Sequence, residues 1–265
     1  MPALDTSPRL PHPPQSGAAV TIVAVSLAAV DSDVAHLEAL LSSAERARAM
    51  RCLPDVRRRF VIGRGRLRLL LSRVVDESPG AIDLAVGSHG KPELGDRHAG
   101  RCHFNLTHSR DRCLMAFSRA SPVGIDLELA APSHTMQWAA LMAGSILATD
   151  ELHRWQGLPE PLKPAALLEH WVGKEAVLKA CGRGIGGGLR TLSLPDPLSR
   201  ITLPPEQQAV DACLSSVVVE AFEPLGVGLL AGAGNAFAAF ACHSSNCRLA
   251  STTFDHAMRE SGRFC

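Results

Sequence analysis

An excess of charge of either sign is missing from this chain of 265 residues: 27 Lys and Arg stand against 26 Asp and Glu, a formal net charge of +1. With so even a balance, any charge that steers a partner must be local. Long apolar runs are missing too. None reaches the ~18 residues a membrane-spanning helix needs. The longest near the start, residues 18–30, follows a Pro-rich leader and lacks the basic region and cleavage site of a secretory signal. No membrane partner is expected. The 8 cysteines never form a C-x-x-C pair, which excludes a zinc ribbon. A disulfide framework is not expected in a chain this long without a secretion signal, so the cysteines read as buried thiols of a cytoplasmic protein. The tripeptide Asn105-Leu106-Thr107 fits a glycosylation acceptor but carries no weight without secretion. The glycine-rich stretch 182–188 follows a helix pattern rather than a strand and has no Gly-Lys-Ser/Thr ending, which excludes a P-loop or dinucleotide loop.

What is present divides into a leader, two halves and a tail. Residues 1–17 hold Pro2, Pro8, Pro11, Pro13 and Pro14 without periodicity and are expected to be disordered. Residues 18–120 predict a strand at 20–27, a helix at 33–50 and a long helix at 54–76. Val56, Phe60, Leu67, Leu70, Leu71 and Val74 form the apolar stripe of that long helix. Short strands follow near 83–86, 103–107 and 113–118. Residues 121–243 predict a strand at 123–129, helical segments within 135–155 and a strong helix at 164–181. Further strands are expected near 191–194, 216–222, 226–230 and 237–243. Residues 244–265 read as a loose tail. The fold class expected is α+β: two similar lobes, each a small antiparallel sheet with helices packed on it.

Four segments carry chemistry. In Val123-Gly124-Ile125-Asp126-Leu127-Glu128, the two-residue period of a strand puts Asp126 and Glu128 on one face and Ile125 and Leu127 on the other. Paired carboxylates repel unless a cation lies between them, and hard oxygen ligands suit Mg²⁺. A solvated acidic edge strand gives the same pattern. In Trp171-Val172-Gly173-Lys174-Glu175-Ala176-Val177-Leu178-Lys179, helical spacing aligns Trp171, Glu175 and Lys179, with Lys174 at the edge of that face. An ordinary amphipathic helix reads alike. Gly182 is a natural left-handed cap for it. Phe104-Asn105-Leu106-Thr107-His108-Ser109 offers an imidazole and two hydroxyls to a phosphate, or a structural histidine. Last, Arg46, Arg48 and Arg51 precede Arg57, Arg58, Arg59, Arg64, Arg66 and Arg68, flanking the apolar stripe of the long helix. Most of these read as a solvated helix surface, although arginine forks suit phosphate. Gly90-Lys91-Pro92 adds a cation on a tight turn.

The order Gly-Lys-Pro, Phe-Asn-x-x-His-Ser, Gly-Ile-Asp-x-Glu and Trp-x-x-Lys-Glu-Ala-x-x-Lys-x-x-Gly resembles the surfactin-type 4'-phosphopantetheinyl transferase family, best between Arg59 and Leu194. That resemblance implies a monomer with a pseudo-two-fold pair of lobes and coenzyme A between them. It implies transfer of phosphopantetheine to a serine of an apo acyl or peptidyl carrier protein, with release of 3',5'-ADP. Asp126, Glu128 and Glu175 are then expected to hold Mg²⁺, with Glu175 and Lys179 catalytic. Arg59, Lys91, Thr107, His108, Lys174, Lys179 and, more loosely aligned, Arg46 are expected to bind the coenzyme. Thr107 stands where the family often has Ser and keeps the hydroxyl. Residues 136–155 are expected to be either carrier-docking surface or core. Two other readings compete: a Mg²⁺-dependent phosphohydrolase using the same carboxylates, and a nucleic-acid-binding protein using the Arg-rich helix. The near-zero net charge and the lack of aromatics among those arginines speak against the second.

Overall fold

The computed structural model describes residues 19–87, 89–184, 188–194, 201–202, 218–221, 236–242 and 248–253. The expected leader and the strand expected at 226–230 lie outside them. The first half contains β1 (Ala19–Ser26), α1 (Asp31–Ala39), α2 (Ser43–Met50), α3 (Pro54–Val75), β2 (Leu84–Val86), β3 (Pro92–Leu94), β4 (His103–Ser109) and β5 (Arg112–Ser118). The second contains β6 (Val123–Leu129), α4 (Met136–Ile146), α5 (Thr149–Gln156), α6 (Lys163–Ala180), β7 (Ile201–Thr202), β8 (Val218–Ala221), β9 (Ala236–Cys242) and β10 (Arg248–Thr253). No helix of the described residues is long and apolar enough to cross a membrane.

Two four-stranded sheets form, in the orders β10-β1-β5-β4 and β6-β9-β8-β7, with β2 and β3 as a separate hairpin. β1 and β5 are apolar on both faces because both faces are covered. Val23, Val25, Cys113, Met115 and Phe117 face the long helix α3. Val20, Ile22, Leu114 and Ala116 face the second sheet, meeting Val123, Ile125, Leu127 and Phe240. On the far side of the second sheet, Ala239 and Ala241 pack against Val172, Ala176 and Val177 of α6. The layers thus run helix, sheet, sheet, helix.

Three expectations need correction. The helix expected over 33–50 is two helices. Ser42 accepts from the Glu45 backbone N–H while the Glu45 carboxylate accepts from Ser42 N–H at 2.8 Å, and this capping box starts a new helix where one was drawn through. No strand forms at 191–194: a short 3₁₀ turn, Leu189–Thr191, is entered through Gly188 at φ 92°, and residues 192–194 follow it unpaired with any sheet. The tail is not loose throughout: β10 lies within it and pairs with β1, Ala19 opposite Arg248. That pairing is parallel, so the first sheet is mixed rather than antiparallel. A strand returning from so far along the chain has no hairpin to fix its direction.

Candidate active site

A cleft of about 790 Å³ opens between the two halves, a size within the range of cofactor sites. Eight of the ten residues expected at a site line it: Arg59, Lys91, Thr107, His108, Asp126, Glu128, Glu175 and Lys179. Arg46 and Lys174 do not.

The juxtaposition of β6 and α6 begins at Gly124. A Cβ there would stand 2.0 Å from the Ala176 carbonyl oxygen and 2.3 Å from the Ala180 nitrogen, so only glycine lets the strand lie against the helix backbone. Two residues on, Asp126 points along the same face toward the Trp171-Glu175-Lys179 stripe. Lys179 Nζ donates to Asp126 Oδ1 at 2.5 Å, and Thr107 Oγ1 donates to the same oxygen at 2.9 Å. Asp126 is 4 % exposed and Glu175 5 %. Asp126 Oδ2 and Glu175 Oε1 are both buried without a hydrogen-bond partner among the described residues.

A second seam explains the Phe-Asn-x-x-His-Ser segment. β4 and β6 edge their two sheets side by side and are joined by side chains. Asn105 Oδ1 accepts from the Ile125 backbone N–H at 2.9 Å, and Thr107 reaches Asp126. Ser109 Oγ accepts from Leu129 N–H at 3.2 Å and donates to Glu128 Oε2 at 3.3 Å. From Asn105 onward every second residue of β4 thus grips β6, as strand geometry allows. Asn105 and the gripping role of Ser109 were not anticipated. The i, i+2, i+4 run of short polar side chains in an otherwise buried strand was the available signal.

The electrostatics are those of crowded carboxylates. Burial, and then the charge of Asp126, raises Glu128 above the usual carboxylate range. Burial also raises Glu175, with Lys179 opposing it and Asp126 and Glu128 adding to it. His108 is held below the ordinary imidazole value by desolvation and by the positive charges of Lys179 and Arg59. Arg59 Nε donates to Asp111 Oδ1 at 2.8 Å. Lys91 lines the cleft but gives protons to the backbone oxygens of Val123 at 3.1 Å and Lys179 at 2.7 Å. It thereby ties the β2–β3 hairpin to the start of β6 and the C-terminal end of α6.

Lys174 requires the largest correction. One step along a helix turns the side chain by ~100°, which carries Lys174 out of the cleft and into the core. Its Nζ is fully buried and donates to Ile146 O at 2.8 Å, Leu189 O at 2.9 Å and the Glu151 carboxylate. Glu151, buried and overlooked in the sequence, also accepts from the backbone N–H of Ala148 at 2.7 Å and Leu194 at 2.6 Å. Its place three residues after the start of a helix was the legible sign. Arg46 fails for a simpler reason: its guanidinium turns back onto the Leu41 carbonyl, at the far end of α2 from the cleft. Nor are the arginines of α3 merely solvated. Arg57, Arg58 and Arg64 pair with Glu38, Asp31 and Glu45, and Arg68 is buried on Glu45 and the carbonyls of Pro79 and Ile82.

The donor set fits a hard divalent cation in chemistry: carboxylates from two elements share one cleft, and two of their buried oxygens lack donors among the described residues. In geometry the set is not drawn up as a cage. Among the described residues no group of three His, Cys, Asp or Glu side chains closes on a single point.

The segment holding β6 and α6 has known counterparts. Residues 122–222 match the model of the 4'-phosphopantetheinyl transferase superfamily. The chain is 39% identical over 157 residues to the 4'-phosphopantetheinyl transferase HetI of Nostoc sp., an alignment covering 58% of this chain and 65% of that protein. It is 36% identical over 161 residues to the putative 4'-phosphopantetheinyl transferase slr0495 of Synechocystis sp., covering 60% and 63%. It is 30% identical over 162 residues to the 4'-phosphopantetheinyl transferase psf-1 of Bacillus pumilus, covering 60% and 66%. The chain therefore spans just under two thirds of the length of these relatives.

Proposed function

We propose that this chain is a surfactin-type 4'-phosphopantetheinyl transferase that moves the phosphopantetheine arm of coenzyme A onto a serine of an apo acyl or peptidyl carrier protein. The observation that carries this reading is the meeting of Asp126 and Glu128 from β6 with Glu175 and Lys179 from α6 in one cleft. The superfamily match over residues 122–222 supports it. The two lobes, residues 18–120 and 121–243, are read as a pseudo-two-fold pair flanking the coenzyme, in a cytoplasmic monomer.

In this reading Asp126, Glu128 and Glu175 would hold Mg²⁺, which when bound neutralises pyrophosphate charge and polarises the phosphoryl group. Lys179 leaves Asp126 for the pyrophosphate and compensates charge as it develops. Arg59, His108 and Thr107 orient the phosphates and nucleotide, while Lys91 holds the wall against which the nucleotide lies. The carrier serine Oγ forms a bond to the β-phosphorus, and the bond from that phosphorus to the bridging oxygen breaks. The bridging oxygen leaves with 3',5'-ADP, and the serine proton passes to the Glu175 carboxylate.

The test is mass spectrometry of a panel of apo carriers incubated with the protein, coenzyme A and Mg²⁺. A gain of one phosphopantetheine on a carrier, lost with Asp126→Ala, is the expected result. Release of phosphate or nucleotide with no carrier present, and no carrier gain, would replace this reading by the phosphohydrolase.

A further inference from the structure

Most large apolar side chains exposed among the described residues stand alone: Val30, Val86, Leu141 and Leu162 are separate points, ordinary for a protein surface. Three are not. Met50, Leu53 and Val56, at 64 %, 75 % and 50 % exposure, fall within seven residues at the corner where α2 gives way to α3. Clustered exposed apolar groups mark interaction surfaces. This cluster adjoins the cleft, because Val56, Cys52 and Arg48 are also part of its lining.

The charge around the corner is unbalanced in one direction. Further along α3, Arg57, Arg58, Arg59 and Arg64 each have a carboxylate partner. Arg48 and Arg51 have none among the described residues. Arg48 lies 5.3 Å from the centre of the Phe60 ring, and Arg51 is exposed. The carboxylate on the corner itself is Asp55, in the first turn of α3. An apolar centre with an arginine rim calls for a partner with an apolar centre and a carboxylate rim. The segment 136–155 offers no comparable face. Met136, Trp138 and Met142 pack into the core around Trp155, and Ile146 is fully buried, which leaves Leu141 alone outside.

We propose that the α2–α3 corner is the surface on which the carrier protein docks. Met50 and Leu53 receive an apolar side chain of the carrier, and Arg48 and Arg51 meet acidic groups beside it, so that the carrier's serine is delivered at the cleft mouth. This rests on the transferase reading and adds to it the identity of the docking surface.

The experiment uses whichever acidic apo acyl carrier protein the unaltered enzyme loads fastest. Leu53→Glu and Arg51→Glu are each assayed for carrier kinetics, coenzyme A affinity by calorimetry and thermal melting. Both positions are exposed, and neither lines the cleft. The expected result is a rise in KM for the carrier of about tenfold or more, with kcat, coenzyme A affinity and melting temperature unchanged. Met50→Glu serves as a second apolar variant should Leu53→Glu melt early. Partial recovery of Arg51→Glu by a carrier with a rim carboxylate changed to Lys would support direct contact. An unchanged carrier KM in folded variants would overturn the docking surface while leaving the transferase intact. Conversion of a dimer to monomer by Leu53→Glu would overturn it in favour of a second copy of this chain. If the unaltered protein loads no carrier, the transferase reading itself fails, and this inference with it.

Discussion

Lys174 and Lys179 lie five residues apart on one helix and answer to different physics. Lys174 neutralises Glu151 in the core, and a buried ion missing its partner costs about 3–5 kcal/mol. Lys174→Met should therefore lower stability by about that much in chemical denaturation, and adding Glu151→Gln should restore a substantial part of the loss. Lys179→Met removes a partly exposed cation from a buried carboxylate, so it should lower stability, but by less than Lys174→Met, where both members of the pair are buried. Under the transferase reading it should still abolish carrier loading. A Lys174→Met protein of full stability would show that the buried pair has been misread. His108 gives a pH signature. Its folded value is depressed, so the unfolded chain takes up a proton first as pH falls through the ordinary imidazole value near 6.5. The contribution of His108 to stability is present above that value and is lost as pH drops through the window below it. NMR titration of the ring should give a midpoint under 6.5, moving upward when coenzyme A supplies negative charge. A midpoint above 6.5 in the free protein would contradict the assigned surroundings.

At the scale of elements, the side-chain ladder from β4 to β6 and the glycine contact between β6 and α6 decide where the acidic groups stand. Asn105→Ala leaves the Ile125 N–H buried without an acceptor, a loss of about 1–3 kcal/mol. Faster exchange of the Ile125 amide should report it directly, and unchanged protection would rule the ladder out. Much of this layer was legible beforehand. The β6 period placed Asp126 and Glu128 together, the i, i+4 spacing put Trp171, Glu175 and Lys179 on one stripe, and Gly182 closes α6 at φ 69° as expected. What could not be read was partner choice. The pattern of α6 cannot say that Lys174 finds Glu151 across a loop, because that depends on how α4 and α5 fold back. The polar run Asn105, Thr107 and Ser109 marked one face of β4, but it could not say whether those groups grip a neighbour or a ligand. The break in the expected helix at Ser42 was, by contrast, available in the Ser-x-x-Glu capping box.

At the scale of the molecule, Lys91 joins the hairpin of the first half to both β6 and α6. Its two carbonyl partners lie near the C-terminal end of α6, where the helix dipole favours a cation. Lys91→Met should leave each half folded but raise amide exchange at the start of β6 and the end of α6, with weaker coenzyme A binding under the transferase reading. Uniform exchange throughout the protein, or none, would deny it that linking role. The parallel pairing of β10 with β1 has a consequence for synthesis. During synthesis β1 holds one hydrogen-bonding edge open until residues 248–253 have been made. Until then that edge is a template for another chain. Pairing across so long a separation is also slow. A message truncated just before residue 248 should therefore yield a product that depends on chaperones and aggregates through β1, although every group lining the cleft has already been translated.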